Sequence, residues 1–262
     1  MKSLTKLAAA AMSGQRIVML TAYDAMFANY ASKAGVDILL VGDSLGMVIQ
    51  GHRDTLRVTV EQMAYHTACV ARGNVDSVIL GDMPFGSYQA SVEDAMRAAA
   101  TLMQAGAHAV KLEGGAPMAS TIRFLVERGV PVVAHIGMTP QSVHAFGGFR
   151  VQGRTDTAIA QLELDLKAVT HAGASMVVLE CVPAAVGAML ASESTIPVIG
   201  IGAGLDVHGQ VMVLHDILGW TAKPPKFTRN FAVGTTTMQD AIAAYVDAVK
   251  TSTFPAESEC YA

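Results

Sequence analysis

The feature that most restricts the fold is a repeated alternation. Short apolar runs, among them IVML, ILLV, VVAHI and MVVL, are separated by stretches with helical patterning. Continuous apolar runs of this length suit strands covered on both faces, as in a parallel sheet. They predict eight strands, at residues 17–22, 38–42, 77–81, 109–112, 130–135, 176–179, 197–201 and, most weakly, 211–215. The helices between them are punctuated. Ser91-Val92-Glu93-Asp94 supplies a serine N-cap with acids in the first turn. Ala34-Gly35, Ala105-Gly106 and Ala172-Gly173 end three helices with a glycine suited to the left-handed turn back into a strand. Arg72-Gly73 and Arg128-Gly129 read as variants of the same stop.

Eight strands alternating with helices and no long linker predict an α/β protein, a (β/α)8 TIM barrel forming a single domain over residues 1–262. A doubly wound sheet shares the same alternation and differs only in closure. The chain's 262 residues match one such barrel, roughly 250 residues. Residues 1–11 predict a short N-terminal helix in preference to a signal peptide, because their apolar part is short and a strand follows at once. Residues 238–250 predict a last helix, followed by a polar end.

Apolar residues make up 52% and charged ones 15%, so much surface must be buried, part of it between subunits. A net charge of −4 argues against nucleic acid or an anionic membrane as partner. No apolar run approaches the roughly 20 residues needed to span a bilayer. Cys69, Cys181 and Cys260 are odd in number and lack C-x-x-C spacing, which fits a cytoplasmic location and excludes a cysteine zinc site.

Active sites of such barrels lie at the C-terminal strand ends. There the sequence places Asp24, Asp43, Asp82, Glu113 and Glu180. Asp24 reads as a helix N-cap. Asp43, Asp82, Glu113 and Glu180 taken together do not, since four carboxylates at one mouth repel unless a cation or bound proton offsets them. Oxygen ligands without histidine pairs or thiolates select an Mg2+-like ion. Lys111, two residues before Glu113, points to the same side, where it either neutralises the carboxylates or, the favoured reading, binds an anionic substrate. Ser44 and the Gly46 N–H are candidates for a substrate carboxylate, and His135 for substrate contact. Glu180, on the strand across from strands two to four, is placed to act as a base. The remaining histidines show no ligand spacing and read as structural or surface residues by default, with the roles of His52 and His144, which fall in loops, left open.

These residues suit a 2-keto acid. A metal polarises its carbonyl, a base removes the adjacent carbon-bound proton, and the enolate is stabilised electrostatically. The runs VGDSLGMVIQGH, TVEQMAYHT, GDMPFGSY, KLEGG, HIGMTPQS, GGFRVQGR, LECVP, PVIGIGAG and PPKFTRNF, in this order across nearly the whole chain, closely resemble the ketopantoate hydroxymethyltransferase family.

The resemblance implies a phosphoenolpyruvate/pyruvate-like barrel that moves a hydroxymethyl group from 5,10-methylenetetrahydrofolate to 3-methyl-2-oxobutanoate, giving 2-dehydropantoate for pantothenate and coenzyme A synthesis. It further implies one Mg2+ per subunit on Asp43 and Asp82, with Glu113 helping directly or through water. Asp43, Ser44, Asp82 and Lys111 would contact the keto acid, His135 the product's hydroxyl side, and Glu180 would accept the proton. Bacterial members commonly form decamers. Arg57 and residues 220–225 depart from the family's pattern. Two other readings use the same residues: an Mg-dependent lyase or mutase acting on a 2-keto or phosphoenol acid, and a catalytically silent scaffold. Lyases of that kind use a reactive cysteine, and Cys181 should alternate away from Glu180.

Overall fold

The protein is described by a computed structural model over residues 2–262. Eight parallel strands close on themselves: β1 (Ile17–Thr21), β2 (Ile38–Val41), β3 (Val78–Asp82), β4 (Ala109–Glu113), β5 (Val132–Gly137), β6 (Met176–Glu180), β7 (Val198–Ile201) and β8 (Gly209–Met212). Closure is made by β1 against β8, with Ile17 beside Gly209 and Leu20 beside Met212. This pairing decides for the barrel over the open doubly wound sheet. Every residue of β1 to β4, β7 and β8 is buried, as double coverage by helices requires.

Local chemistry fixes the helix ends. Asp24 caps the helix Ala25–Lys33 by accepting the Phe27 N–H at 2.9 Å, and Ser91 caps Val92–Gln104 through the Asp94 N–H at 3.0 Å. The N-terminal segment forms a helix, Leu4–Met12, with Leu4, Leu7 and Ala11 buried. The helix Met238–Lys250 carries a capping box from Thr237 and Asp240 and buries Tyr245, whose hydroxyl donates to the Met19 carbonyl of β1 at 2.9 Å. Among the described residues no helix is long and apolar enough to cross a membrane.

Three expectations are corrected. The eighth strand begins and ends earlier than 211–215: residues from Leu214 onward turn into a short helix, Leu214–Ile217. The strand starts at a glycine because a Cβ on Gly209 would lie 2.3 Å from the Ile17 carbonyl oxygen. Gly73 is not a left-handed stop. It lies inside the helix Val60–Gly73, where a Cβ would sit 1.9 Å from the Ala25 oxygen, so it serves close packing against the helix Ala25–Lys33. The C-terminal end is not merely polar: Phe254 is buried, and the Tyr261 carbonyl accepts the Ala184 N–H at 2.9 Å.

Candidate active site at the barrel mouth

Residues at the C-terminal ends of the strands surround a cavity of about 520 Å3. Asp43, Ser44, Asp82, Lys111, Glu113, His135 and Glu180 all line it, so the structure brings these expected site residues together, while Gly46 is not among the lining. Parallel register is the reason. Asp82 pairs with Lys111 and Glu113 with His135, while Glu180 sits beside Gly137, two residues beyond His135, so β3 to β6 deliver their polar side chains to the same end of the barrel.

The charges interleave. Lys111 Nζ lies 2.8 Å from Asp82 Oδ1 and 3.6 Å from Glu113 Oε1. His135 bridges the cluster to the proposed base, with Nδ1 3.4 Å from Glu113 Oε1 and Nε2 3.3 Å from Glu180 Oε2. All of these except Glu180 are almost wholly buried; the Glu180 side chain is 14% exposed. Asp82 Oδ1, Glu113 Oε1 and His135 Nε2 nevertheless take no well-directed hydrogen bond, leaving buried polar atoms facing the cavity.

Electrostatics separates the acids. Burial, then the charges of Asp82 and Glu113, holds the Asp43 carboxyl well above the usual carboxylate range. Burial also lifts Asp82, against the pull of Lys111. Burial would lift Glu113, but Lys111 and His135 outweigh it and hold that carboxyl low. For Lys111, burial is overcome by Asp82, Glu113 and Asp43, which raise the ammonium. Burial and Lys111 disfavour the His135 imidazolium, yet Glu113 and Glu180 prevail and push it up to about 9. Four carboxyl groups thus share one buried site with Lys111 and His135 set among them, and burial and mutual repulsion push Asp43 and Asp82 toward the protonated form.

Two residues that the sequence reading passed over hold the cluster in place. The Gln141 backbone N–H donates to Glu113 Oε2 and its Nε2 to Asp43 Oδ2, both at 2.9 Å. Its Oε1 accepts the Tyr88 hydroxyl at 2.7 Å, while that hydroxyl accepts the Glu113 N–H at 3.0 Å. Both residues sit inside quoted motifs, HIGMTPQS and GDMPFGSY, and lack only a charge to draw attention. Among the described residues, no three His, Cys, Asp or Glu side chains form a ready cage for a cation.

Other expectations meet mixed outcomes. Ser44 opens the short helix Leu45–Val48 without capping it, its Oγ lying 2.9 Å from the Tyr23 hydroxyl instead. The Gly46 N–H donates to the Asp43 carbonyl at 2.9 Å and is not free for a substrate carboxylate. Cys181 does not alternate away: its φ of 50° breaks the strand pattern, and it lines the same cavity as Glu180. Burial, then Glu180, pushes its thiol up, away from the reactive thiolate. His108 and His208 are structural, each accepting a backbone N–H with Nδ1, from Ile79 at 2.9 Å and Val198 at 3.1 Å. Arg57 is exposed, whereas Thr221, Lys223 and Pro225 from the divergent 220–225 segment reach the cavity wall.

The chain is 59% identical over 250 residues to a protein of Azoarcus sp. (strain BH72) named 3-methyl-2-oxobutanoate hydroxymethyltransferase, covering 95% of this chain and 92% of that one. A protein of the same name from Ralstonia pickettii (strain 12J) is 54% identical over 261 residues, covering 99% and 96%. Among solved structures, phosphonopyruvate hydrolase in complex with oxalate and Mg2+ superposes with a TM-score of 0.63 at 13% identity, covering 94% of this chain and 95% of that one. The phosphoenolpyruvate phosphomutase of Streptomyces platensis subsp. rosaceus gives 0.61 at 15% identity, covering 83% of each. At such identities the structures share the barrel fold alone. The sequence pattern of one family, described as ketopantoate hydroxymethyltransferase, matches residues 1–257. With that match and relatives above half identity over almost the whole length, the chain belongs to the ketopantoate hydroxymethyltransferase family.

Proposed function

We propose that this protein transfers a hydroxymethyl group from 5,10-methylenetetrahydrofolate to 3-methyl-2-oxobutanoate, giving 2-dehydropantoate, the opening step toward pantothenate and coenzyme A. The observation that carries this reading is the chain of contacts from Asp82 through Lys111, Glu113 and His135 to Glu180, all facing one cavity. It sets an anion-binding ammonium at one end and a carboxylate base at the other.

The donor set suits Mg2+. The carboxylates of Asp43, Asp82 and Glu113 are oxygen ligands, and Asp82 Oδ1 and Glu113 Oε1 are met by ion pairs and not by a directed hydrogen bond. Asp43 and Asp82 would hold the ion, with Glu113 helping directly or through water. Few protein ligands are needed, since Mg2+ usually keeps several waters and is bound through one or two carboxylates. When bound, it would polarise the keto carbonyl as a Lewis acid.

The chain's own groups do the rest. Lys111 draws the substrate's carboxylate into the buried site, and Ser44 adds a hydroxyl beside it. Glu180 takes the proton from C3, a general-base contribution of about 10²–10⁴-fold. The neighbouring His135 imidazolium stabilises negative charge before and after that transfer. C3 then forms a bond to the donor's methylene carbon as the carbon–nitrogen bonds to the donor break. One water supplies the hydroxyl, and tetrahydrofolate leaves with a proton on each of the two freed nitrogens, one from that water and one returned by Glu180. His135 meets the new hydroxyl. On this reading the enzyme works in the cytoplasm as a homo-oligomer, a decamer by the family's habit. Exposed Met26, Tyr65, Phe85 and Leu164 supply apolar surface for such contacts.

The deciding experiment is solvent-deuterium exchange into C3 of 3-methyl-2-oxobutanoate without folate, for wild type and Glu180→Gln. Exchange should require Mg2+ and vanish in the variant while keto-acid binding persists. Continued exchange in Glu180→Gln would exclude Glu180 as the base.

A further inference from the structure

One buried acid of the cavity has no part in the chemistry just described. The polar cluster comes from the ends of β2 to β6, whereas Asp216 enters from the helix Leu214–Ile217 that follows β8. In an eight-stranded ring β8 lies across the mouth from β4, so Asp216 faces the Lys111–Glu113 strand from the opposite side. The helix is tied to β1 by the Leu214 N–H, which donates to Thr21 Oγ1 at 2.9 Å. Asp216 is only 8% exposed. Thr221 Oγ1 donates to its Oδ1, while Oδ2 takes no hydrogen bond and no Lys, Arg or His forms an ion pair with it among the described residues. Met212, Val213 and Phe227 add apolar surface to this wall beside Thr221, and Lys223 lines the same cavity without an ion pair to Asp216.

We propose that Asp216 recognises the amino-substituted heterocycle of the one-carbon donor, dividing the cavity into a keto-acid half over β2–β6 and a donor half against the segment after β8. This rests on the functional reading above. The chemistry favours a neutral ligand with paired donors. A buried carboxylate that forms no ion pair is satisfied by two N–H groups held side by side, and a ring N–H next to an exocyclic amine provides them in one plane. Flat apolar walls accept the ring faces. Burial, opposed by Thr221, already lifts the Asp216 carboxyl, in keeping with a group lacking a cationic partner. Space argues the same way. A cavity of about 520 Å3 is of a size that holds drug-sized ligands, far larger than a small keto acid requires. The donor's methylene carbon must also reach C3 of the keto acid, so the two molecules share this cavity.

The test measures binding of tetrahydrofolate, followed by the fluorescence of the chain's single tryptophan, Trp220, whose ring lies 5.6 Å from that of His215 beside Asp216. Wild-type protein should bind a 2-desamino analogue about tenfold or more weaker than tetrahydrofolate, the loss expected for one hydrogen bond to a charged group. Asp216→Asn should weaken tetrahydrofolate by a similar factor and erase the preference between the two ligands, with keto-acid affinity changed far less. Equal affinity of wild type for both ligands would overturn the subsite, and that comparison does not depend on how the variant folds. Failure of wild type to bind or deuterate 3-methyl-2-oxobutanoate at all would overturn the functional reading, and the subsite with it.

Discussion

Gln141 uses both ends of its amide on the acid cluster, donating to Asp43 Oδ2 and the Met83 carbonyl and accepting from Tyr88. Gln141→Met keeps the volume and takes the amide donor away from the buried Asp43 Oδ2 and the Met83 carbonyl. It should cost about 2–3 kcal/mol, the usual penalty for unsatisfied buried groups, and loosen Mg2+ binding; urea unfolding and calorimetry read the two effects. His135 supplies a prediction in pH. Its folded pKa of about 9 lies above its ordinary 6.5, so its contribution to stability is fully present below about 6.5 and is lost as pH rises through about 9. In chelator, wild type should therefore lose stability relative to His135→Asn across that window, and parallel pH profiles would refute the assignment. Charged residues of this site were legible in the sequence because strand ends are the known place to look. Gln141, Tyr88 and Asp216 were not. Two are uncharged, and the third sits beyond a strand whose end was misplaced.

Gly73 tests the packing of two helices. Alanine there would gain about 1 kcal/mol of intrinsic helix propensity. Its Cβ, however, would lie 1.9 Å from the Ala25 oxygen, a backbone atom that cannot swing aside. Overpacking of this kind costs about 1–3 kcal/mol, so Gly73→Ala should be net destabilising in urea unfolding; a more stable variant would show that the two helices separate easily. The same residue shows why element boundaries were only partly legible. A glycine after Arg72 carries the composition of a helix stop, but the contact that demands it lies 48 residues earlier, in another helix. β8 failed likewise. The apolar run points to residues 211–215, whereas the strand is fixed by the approach of Gly209 to Ile17, a neighbour that exists only once the barrel closes. Strands β1 to β7 were readable because each buries a continuous apolar run under helices.

At the scale of the molecule, closure concentrates charge. A sheet left open would spread Asp43, Asp82, Glu113 and Glu180 along an edge; the barrel gathers them around one cavity with Lys111 and His135 ion-paired among them. The alternation of elements announced the strands but could not announce the β1–β8 pairing, which joins residues far apart in sequence. The cost of this gathering is visible at Asp43, whose carboxyl is raised by burial and by its acidic neighbours. Ionising it in the metal-free protein therefore opposes folding at neutral pH, and a divalent cation should reverse the sign. Mg2+ bound only by the folded state stabilises by about 2.7 kcal/mol at a hundredfold excess over its dissociation constant. Asp43→Asn should show both halves of the argument in one experiment. Its metal-free form should unfold at a higher temperature than metal-free wild type, since no buried carboxylate remains to ionise and an amide oxygen can still accept from Gln141. Added Mg2+ should then raise its transition far less than it raises wild type's. Thermal unfolding in chelator and in saturating Mg2+ measures all four states. An unchanged wild-type transition, or an equal Mg2+ response in the variant, would mean that the excess acid at the mouth is balanced by protons and not by a cation.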